Sequence, residues 1–120
     1  MDEEIKLLAN KTVDKIYRKV RRAHSTEFHR FGTNIGIGAD GTPIKYVDKL
    51  AEDVAIKFIK KADMGINILS EEAGFLDFSG EYTFVLDPVD GTRNAYRGIP
   101  FYSVSLGVGK SRLSDVEYGI

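Results

Sequence analysis

The sequence predicts an α+β domain in which two helices pack on a mainly antiparallel sheet. Three observations carry that expectation. Two long stretches place apolar residues at three- and four-residue steps, short apolar or alternating runs fill the second half, and glycine, proline and aspartate separate those runs.

The first helix is predicted over residues 2–23, where Ile5, Leu8, Ala9, Val13, Ile16 and Val20 share one face. Acidic residues stand in its first turn and basic ones in its last, as the helix dipole prefers. Residues 32–43 hold Gly32, Gly36, Gly38, Gly41 and Pro43, and read as a loop or a loosely paired hairpin with Ile35 and Ile37 as strand residues. They contain neither a dinucleotide fingerprint nor a Walker A motif, which argues against a nucleotide loop. The second helix is predicted over 47–62, with Leu50, Ala51, Val54, Ala55, Phe58 and Ile59 as its buried stripe and Gly65 at its stop. Strands follow at 66–69, at 82–86 after a polar turn, at 102–108 with strict alternation, and at 116–120.

Hydrophobic residues make up 42% of the chain and charged residues 29%, the balance of a soluble globular domain. The formal net charge of -1 lacks the basic excess of nucleic-acid binders. Lys15, Arg18, Lys19, Arg21 and Arg22 read as the solvated face and C-terminal end of the first helix. With no cysteine, disulfides, thiolate zinc sites and cysteine nucleophiles are all excluded. There is no apolar run long enough to span a membrane, and the acidic start is unlike a signal peptide, so a cytoplasmic protein is expected.

Two predicted strands end in acidic pairs, Glu71-Glu72 and Asp87-Pro88-Val89-Asp90. If those strands are neighbours, Glu71, Asp87 and Asp90 converge at one sheet edge. Carboxylates held that close repel unless protonated or bridged by a cation. Oxygen donors without cysteine or nearby histidine favour a hard ion such as Mg2+. Taken singly, each pair is also an ordinary polar strand end, because Asp-Pro and Asp-Gly are common turn dipeptides. The full string, Asp87 to Asn94, changes the balance. A tight turn stiffened by Pro88 can aim Asp87 and Asp90 at one site, Gly91 permits close backbone approach, and a helical turn beginning at Gly91 or Thr92 would present N–H groups to a phosphate.

Residues 87–94 resemble the signature Asp-Pro-Ile/Val/Leu-Asp-Gly-Thr-x-Asn of the inositol monophosphatase superfamily. Its companions stand in order: Glu71-Glu72 after an apolar strand, Asp48 in the string Lys45 to Glu52, and Pro100 to Gly107 downstream. The segment Gly38 to Pro43 is similar to the archaeal branch, which hydrolyses both inositol-1-phosphate and fructose-1,6-bisphosphate. The resemblance implies that Glu71, Asp87 and the Val89 carbonyl hold one Mg2+. Asp87 and Asp90 would bridge to a second, and Glu71 would help hold a third, weaker ion with Glu72 in the outer shell. It implies that Asp48 and Thr92 orient and deprotonate the attacking water, and that the Gly91 and Thr92 N–H groups hold the phosphate.

Asp48 is equally well suited to cap the second helix, and the two roles are compatible. His24 and His29 read as ordinary polar residues. Arg93 and Arg97 suit either a second phosphate or plain surface charge. The resemblance covers the N-terminal half of the family fold, a single metal- and phosphate-binding domain over residues 1–120. In complete members the C-terminal half supplies a further Asp ligand and much of the substrate pocket. The expectation is therefore a truncated Mg2+-dependent phosphomonoesterase, a homodimer at full length, with no nucleic-acid or membrane partner. A nucleotide 3′-phosphatase or NADP phosphatase, and a non-catalytic metal- or phosphate-binding piece, are the alternatives.

Overall fold

The computed structural model describes residues 2–110 and 116–120. Helix α1 (Glu3–Glu27) begins where the Asp2 carboxylate accepts a hydrogen bond from the Glu4 N–H at 2.8 Å. Its buried stripe is Ile5, Leu8, Ala9, Ile16 and Val20, joined by Thr12 and Ala23. Thr12 occupies an apolar position because its hydroxyl donates to the Leu8 carbonyl at 2.8 Å. The helix runs about one turn past its predicted end. Aromatic packing carries it there: His24 lies against Phe28, with ring centroids 4.8 Å apart, and Phe28 against Phe31 at 5.6 Å. A 3-10 turn (Phe28–Arg30) then delivers Phe31 into the core.

The glycine-rich stretch is the hairpin rather than the loop. Strand β1 (Asn34–Ile37) pairs antiparallel with β2 (Pro43–Lys45), separate from the main sheet. Helix α2 (Tyr46–Ala62) follows at once. Its start is fixed by two backbone bonds, from the Tyr46 N–H to the Thr33 carbonyl at 2.8 Å and from the Val47 N–H to the Phe31 carbonyl at 3.2 Å. Val47, Ala51, Ala55 and Ile59 are buried. The helix stops at Asp63, which takes a left-handed conformation with φ 53, ahead of the expected stop at Gly65.

The main sheet has the order β4-β3-β5-β6-β7, formed by β3 (Asn67–Ser70), β4 (Gly74–Leu76), β5 (Thr83–Asp90), β6 (Ser103–Gly109) and β7 (Val116–Gly119). All its pairings are antiparallel except β3 with β5. The expected α+β class and mainly antiparallel sheet stand, with a short third helix, α3 (Thr92–Tyr96), after the signature string. Strand β4 is too short to alternate visibly, and the sequence shows it only as part of a turn.

Register sorts the sheet into two faces. Ile68, Phe84 and Val108 stand in one cross-strand row and Ser70, Leu86 and Leu106 in another, and all six are buried. Leu69, Val85, Ser105 and Gly107 point the other way and are half-buried. Each large core side chain contributes roughly 1.5–3 kcal/mol by leaving water. Among the described residues, no helix is long and apolar enough to cross a membrane.

Candidate active site

The one parallel pairing decides where the acids meet. Leu69 pairs with Val85 and Ser70 with Leu86, so continuing the register places Glu71 beside Asp87. Both lie at the rim of a hollow of about 580 Å³ on the half-buried face of the sheet. The ladder between β5 and β6 shifts between Asp87 and Asp90, which ends the strand in a kink and leaves Asp90 exposed. Burial, then the neighbouring carboxylates of Glu71, Asp90 and Asp48, push the Asp87 pKa up to about 6.

Glu72 stands under similar strain. Burial first, then Asp48, Glu71, Glu52 and Asp40, raise its pKa to about 7. Its Oε2 is buried with no hydrogen-bond partner, and a Cβ at Gly38 would lie 2.8 Å from that oxygen. Hard oxygen donors, mutual repulsion and an orphaned carboxyl oxygen together fit a small hard cation. The fit is one of donor chemistry. Among the described residues, no three His, Asp or Glu side chains are grouped closely enough to hold a metal ion as they stand.

Beside these acids, Thr92 Oγ1 donates to Asp48 Oδ1 at 2.7 Å. The Val89 carbonyl lies 3.1 Å from the same hydroxyl, but the shorter bond to a carboxylate is the stronger use of its single proton. Asp48 is buried, and it is the third residue of α2 rather than its N-cap. From there Oδ2 accepts the Lys45 N–H at 3.4 Å, so it ties down the helix start while facing Thr92. Burial, opposed by the bonds from Thr92 and Lys45, leaves the Asp48 pKa raised. Gly91, ahead of α3, has φ 92, and a side chain there would press on the Phe101 carbonyl at 3.1 Å. Asn94 closes the returning loop by donating to that carbonyl at 2.8 Å.

The sequence profile of the inositol monophosphatase family matches residues 1–112. The chain belongs to that family. It is 37% identical over 105 residues to the fructose-1,6-bisphosphatase/inositol-1-monophosphatase of Thermococcus kodakarensis, covering 88% of this chain and 40% of that one. It is 41% identical over 110 residues to the bifunctional NADP phosphatase/NAD kinase of Methanocaldococcus jannaschii, covering 90% of this chain and 19% of that one. A Pyrococcus horikoshii protein described as similar to inositol-1 monophosphatase superposes over 98% of this chain and 43% of its own, with TM-score 0.76 and 30% identity. The chain thus spans two-fifths or less of the length of these curated relatives.

Within this inositol monophosphatase family chain, Glu71 and Asp48 each add to the repulsion on Glu72 and on Asp87, and Asp48 is joined to Thr92. Arg93 and Arg97 are exposed, as is His29. His24, distant in sequence, lines a cavity of about 450 Å³ together with Pro88 and Val89. Two residues lacked a role in the sequence reading. Asn94 is the loop latch described above. Glu52, only 1% exposed, accepts hydrogen bonds from Ser70 Oγ at 2.6 Å and the Ala73 N–H at 3.1 Å. Its trace in the sequence is an acid four residues after Asp48, between Ala51 and Ala55 of the buried stripe, where it reads as an interruption of that stripe.

The crowded acids set a pH dependence for this inositol monophosphatase relative. Asp87 rises from 3.8 to about 6 and Glu72 from 4.5 to about 7, so between those limits the folded state holds more protons than the unfolded one. Stability is therefore fullest below about pH 4 for these two groups and is lost as pH rises through 6 to 7. Denaturant titration in a chelator should show a fall on the order of 2 kcal/mol, after allowance for partial exposure. A profile that climbs across that window would contradict the arrangement.

Proposed function

We propose that the chain is the metal- and phosphate-binding part of a cytoplasmic Mg2+-dependent phosphomonoesterase acting on inositol-1-phosphate or fructose-1,6-bisphosphate. The observation that carries this reading is the 2.7 Å bond between Thr92 and Asp48, set beside acids whose charges need a cation. Glu71, Asp87, the Val89 carbonyl and Asp90 would hold Mg2+, with Glu72 behind them. Bound Mg2+ supplies positive charge that neutralises phosphoryl oxygens and makes water easier to deprotonate.

The chain's own groups do the rest. Because the Thr92 proton is committed to Asp48, the lone pairs of its hydroxyl oxygen are free to accept a hydrogen from water. Asp48, made more basic by burial, takes up the proton as the water oxygen attacks phosphorus. The phosphorus–ester oxygen bond then breaks, the departing alkoxide takes its proton from a second water, and Asp48 returns the proton it holds to the hydroxide so formed. First-turn N–H groups of a helix lack internal partners, so Gly91 and Thr92 would cradle the phosphate.

The similarity to an NADP phosphatase over 90% of this chain supports a second substrate class, the 2′-phosphate of a dinucleotide. Phosphate release from inositol-1-phosphate, fructose-1,6-bisphosphate, a 3′-nucleotide and NADP, with and without Mg2+, decides among them. Mg2+ binding without turnover would reduce the reading to a binding unit, and neither binding nor turnover would remove it.

A further inference from the structure

The loop between β3 and β4 carries Glu71 and Glu72, and it is short: Ser70 pairs directly with Gly74 across its base. Glu52 reaches this loop from α2 and grips both of its ends with one oxygen. Oε2 accepts the Ser70 hydroxyl at 2.6 Å before the two acids and the Ala73 N–H at 3.1 Å after them. Glu52 and Ser70 are 1% and 3% exposed, so the bond between them is shielded from water, and the bond from Ala73 is partly so. The helix that presents Glu52 also presents Asp48 one turn earlier, and Asp48 is bonded to Thr92 beyond the end of β5.

We infer that Glu52 is a positioning residue, which fixes the Glu71–Glu72 loop relative to the Asp48–Thr92 pair. The inference rests on the metal-site reading above. Helix α2 acts as a rigid rule between two segments that are separate in sequence: one mark is Asp48, the other Glu52. Burial of an acid among acids is otherwise unfavourable, since Glu52 adds to the repulsion felt by Glu72 and Asp48. A group kept there despite that repulsion is explained by the two bonds it accepts.

Holding and charge are separable. Glutamine can still accept both bonds through its amide oxygen but brings no negative charge, whereas alanine does neither. In the 120-residue chain without metal, amide hydrogen exchange at Ala73 should quicken about tenfold or more in Glu52→Ala and stay within about threefold of wild type in Glu52→Gln. Mg2+ affinity, read by calorimetry, should fall about 10- to 100-fold in Glu52→Ala and be largely restored in Glu52→Gln. Ser70→Ala, which removes one bond and preserves the apolar packing, should weaken Mg2+ binding without unfolding the chain, and it decides the matter if Glu52→Ala does not fold. Unchanged Ala73 exchange and unchanged Mg2+ affinity in these variants would overturn the inference. So would a Glu52→Gln protein as impaired as Glu52→Ala. A wild-type chain that shows no Asp87-dependent Mg2+ binding is a different result, which removes the metal reading and the positioning role with it.

Discussion

Replacing Asp87 with asparagine is expected to abolish Mg2+ binding while making the metal-free chain harder to unfold. The two effects have one cause. Asp87 sits in register beside Glu71, and its pKa is pushed up to about 6 by burial and by Glu71, Asp90 and Asp48. Without an ion, ionised Asp87 is a source of repulsion, and a neutral amide of the same shape relieves it. At pH 8 in a chelator, Asp87→Asn should gain about 1 kcal/mol after allowance for partial exposure. With Mg2+ present the order reverses, because the wild type gains binding free energy that the variant cannot. Mg2+-dependent phosphate release should drop about a thousandfold, since one of the residues that would hold Mg2+ is lost. Thermal melts with and without Mg2+ check the crossover. A variant that melts lower than wild type in both conditions would point to a merely structural aspartate.

Thr92→Val should leave Mg2+ binding nearly intact and lower turnover about 10²- to 10⁴-fold. Valine keeps the shape of threonine and removes the hydroxyl that donates to Asp48 at 2.7 Å. Asp48, 5% exposed, then keeps only the longer bond from the Lys45 N–H at 3.4 Å. The stability loss should be about 1–2 kcal/mol, too small to account for the loss of turnover. Thr92→Ser retains the donor and should recover most of the rate, and Asp48→Asn should resemble Thr92→Val. Rates measured at saturating Mg2+ separate this from a metal defect. A valine variant within threefold of wild type would remove Thr92 from the proton path.

Much of this arrangement was legible in the residues. The stripes Ile5 to Val20 and Leu50 to Ile59 gave both long helices, because burial of one face imposes a helical spacing. Ile66 to Leu69 and Tyr82 to Leu86 marked the strands that carry the acids, and Gly91-Thr92 marked the start of α3. Four kinds of information were not legible. The end of α1 depends on His24, Phe28 and Phe31 packing together, which no helical period announces. Strand β4 owes its existence to its partner, since Gly74, Phe75 and Leu76 have no alternating pattern of their own. Glu52 was hidden because an acid within a buried stripe looks like an interruption until its bonds to Ser70 and Ala73 are seen. The parallel alignment of β3 with β5 was needed as a condition and could be known only from coordinates.

That alignment places the acids under the supervision of residues that never meet them. Side chains alternate along a strand, so sliding β3 by a single step would carry Glu71 to the wrong side of the sheet. The same slide would expel Ile68, now wholly shielded, from its seat beside Phe84. Misassembly of the charged rim is thus punished in the oily interior, at roughly 1.5–3 kcal/mol for each displaced side chain. The interior proofreads the chemistry, and an alteration at Ile68 or Phe84 could disarm the rim without replacing a single acid.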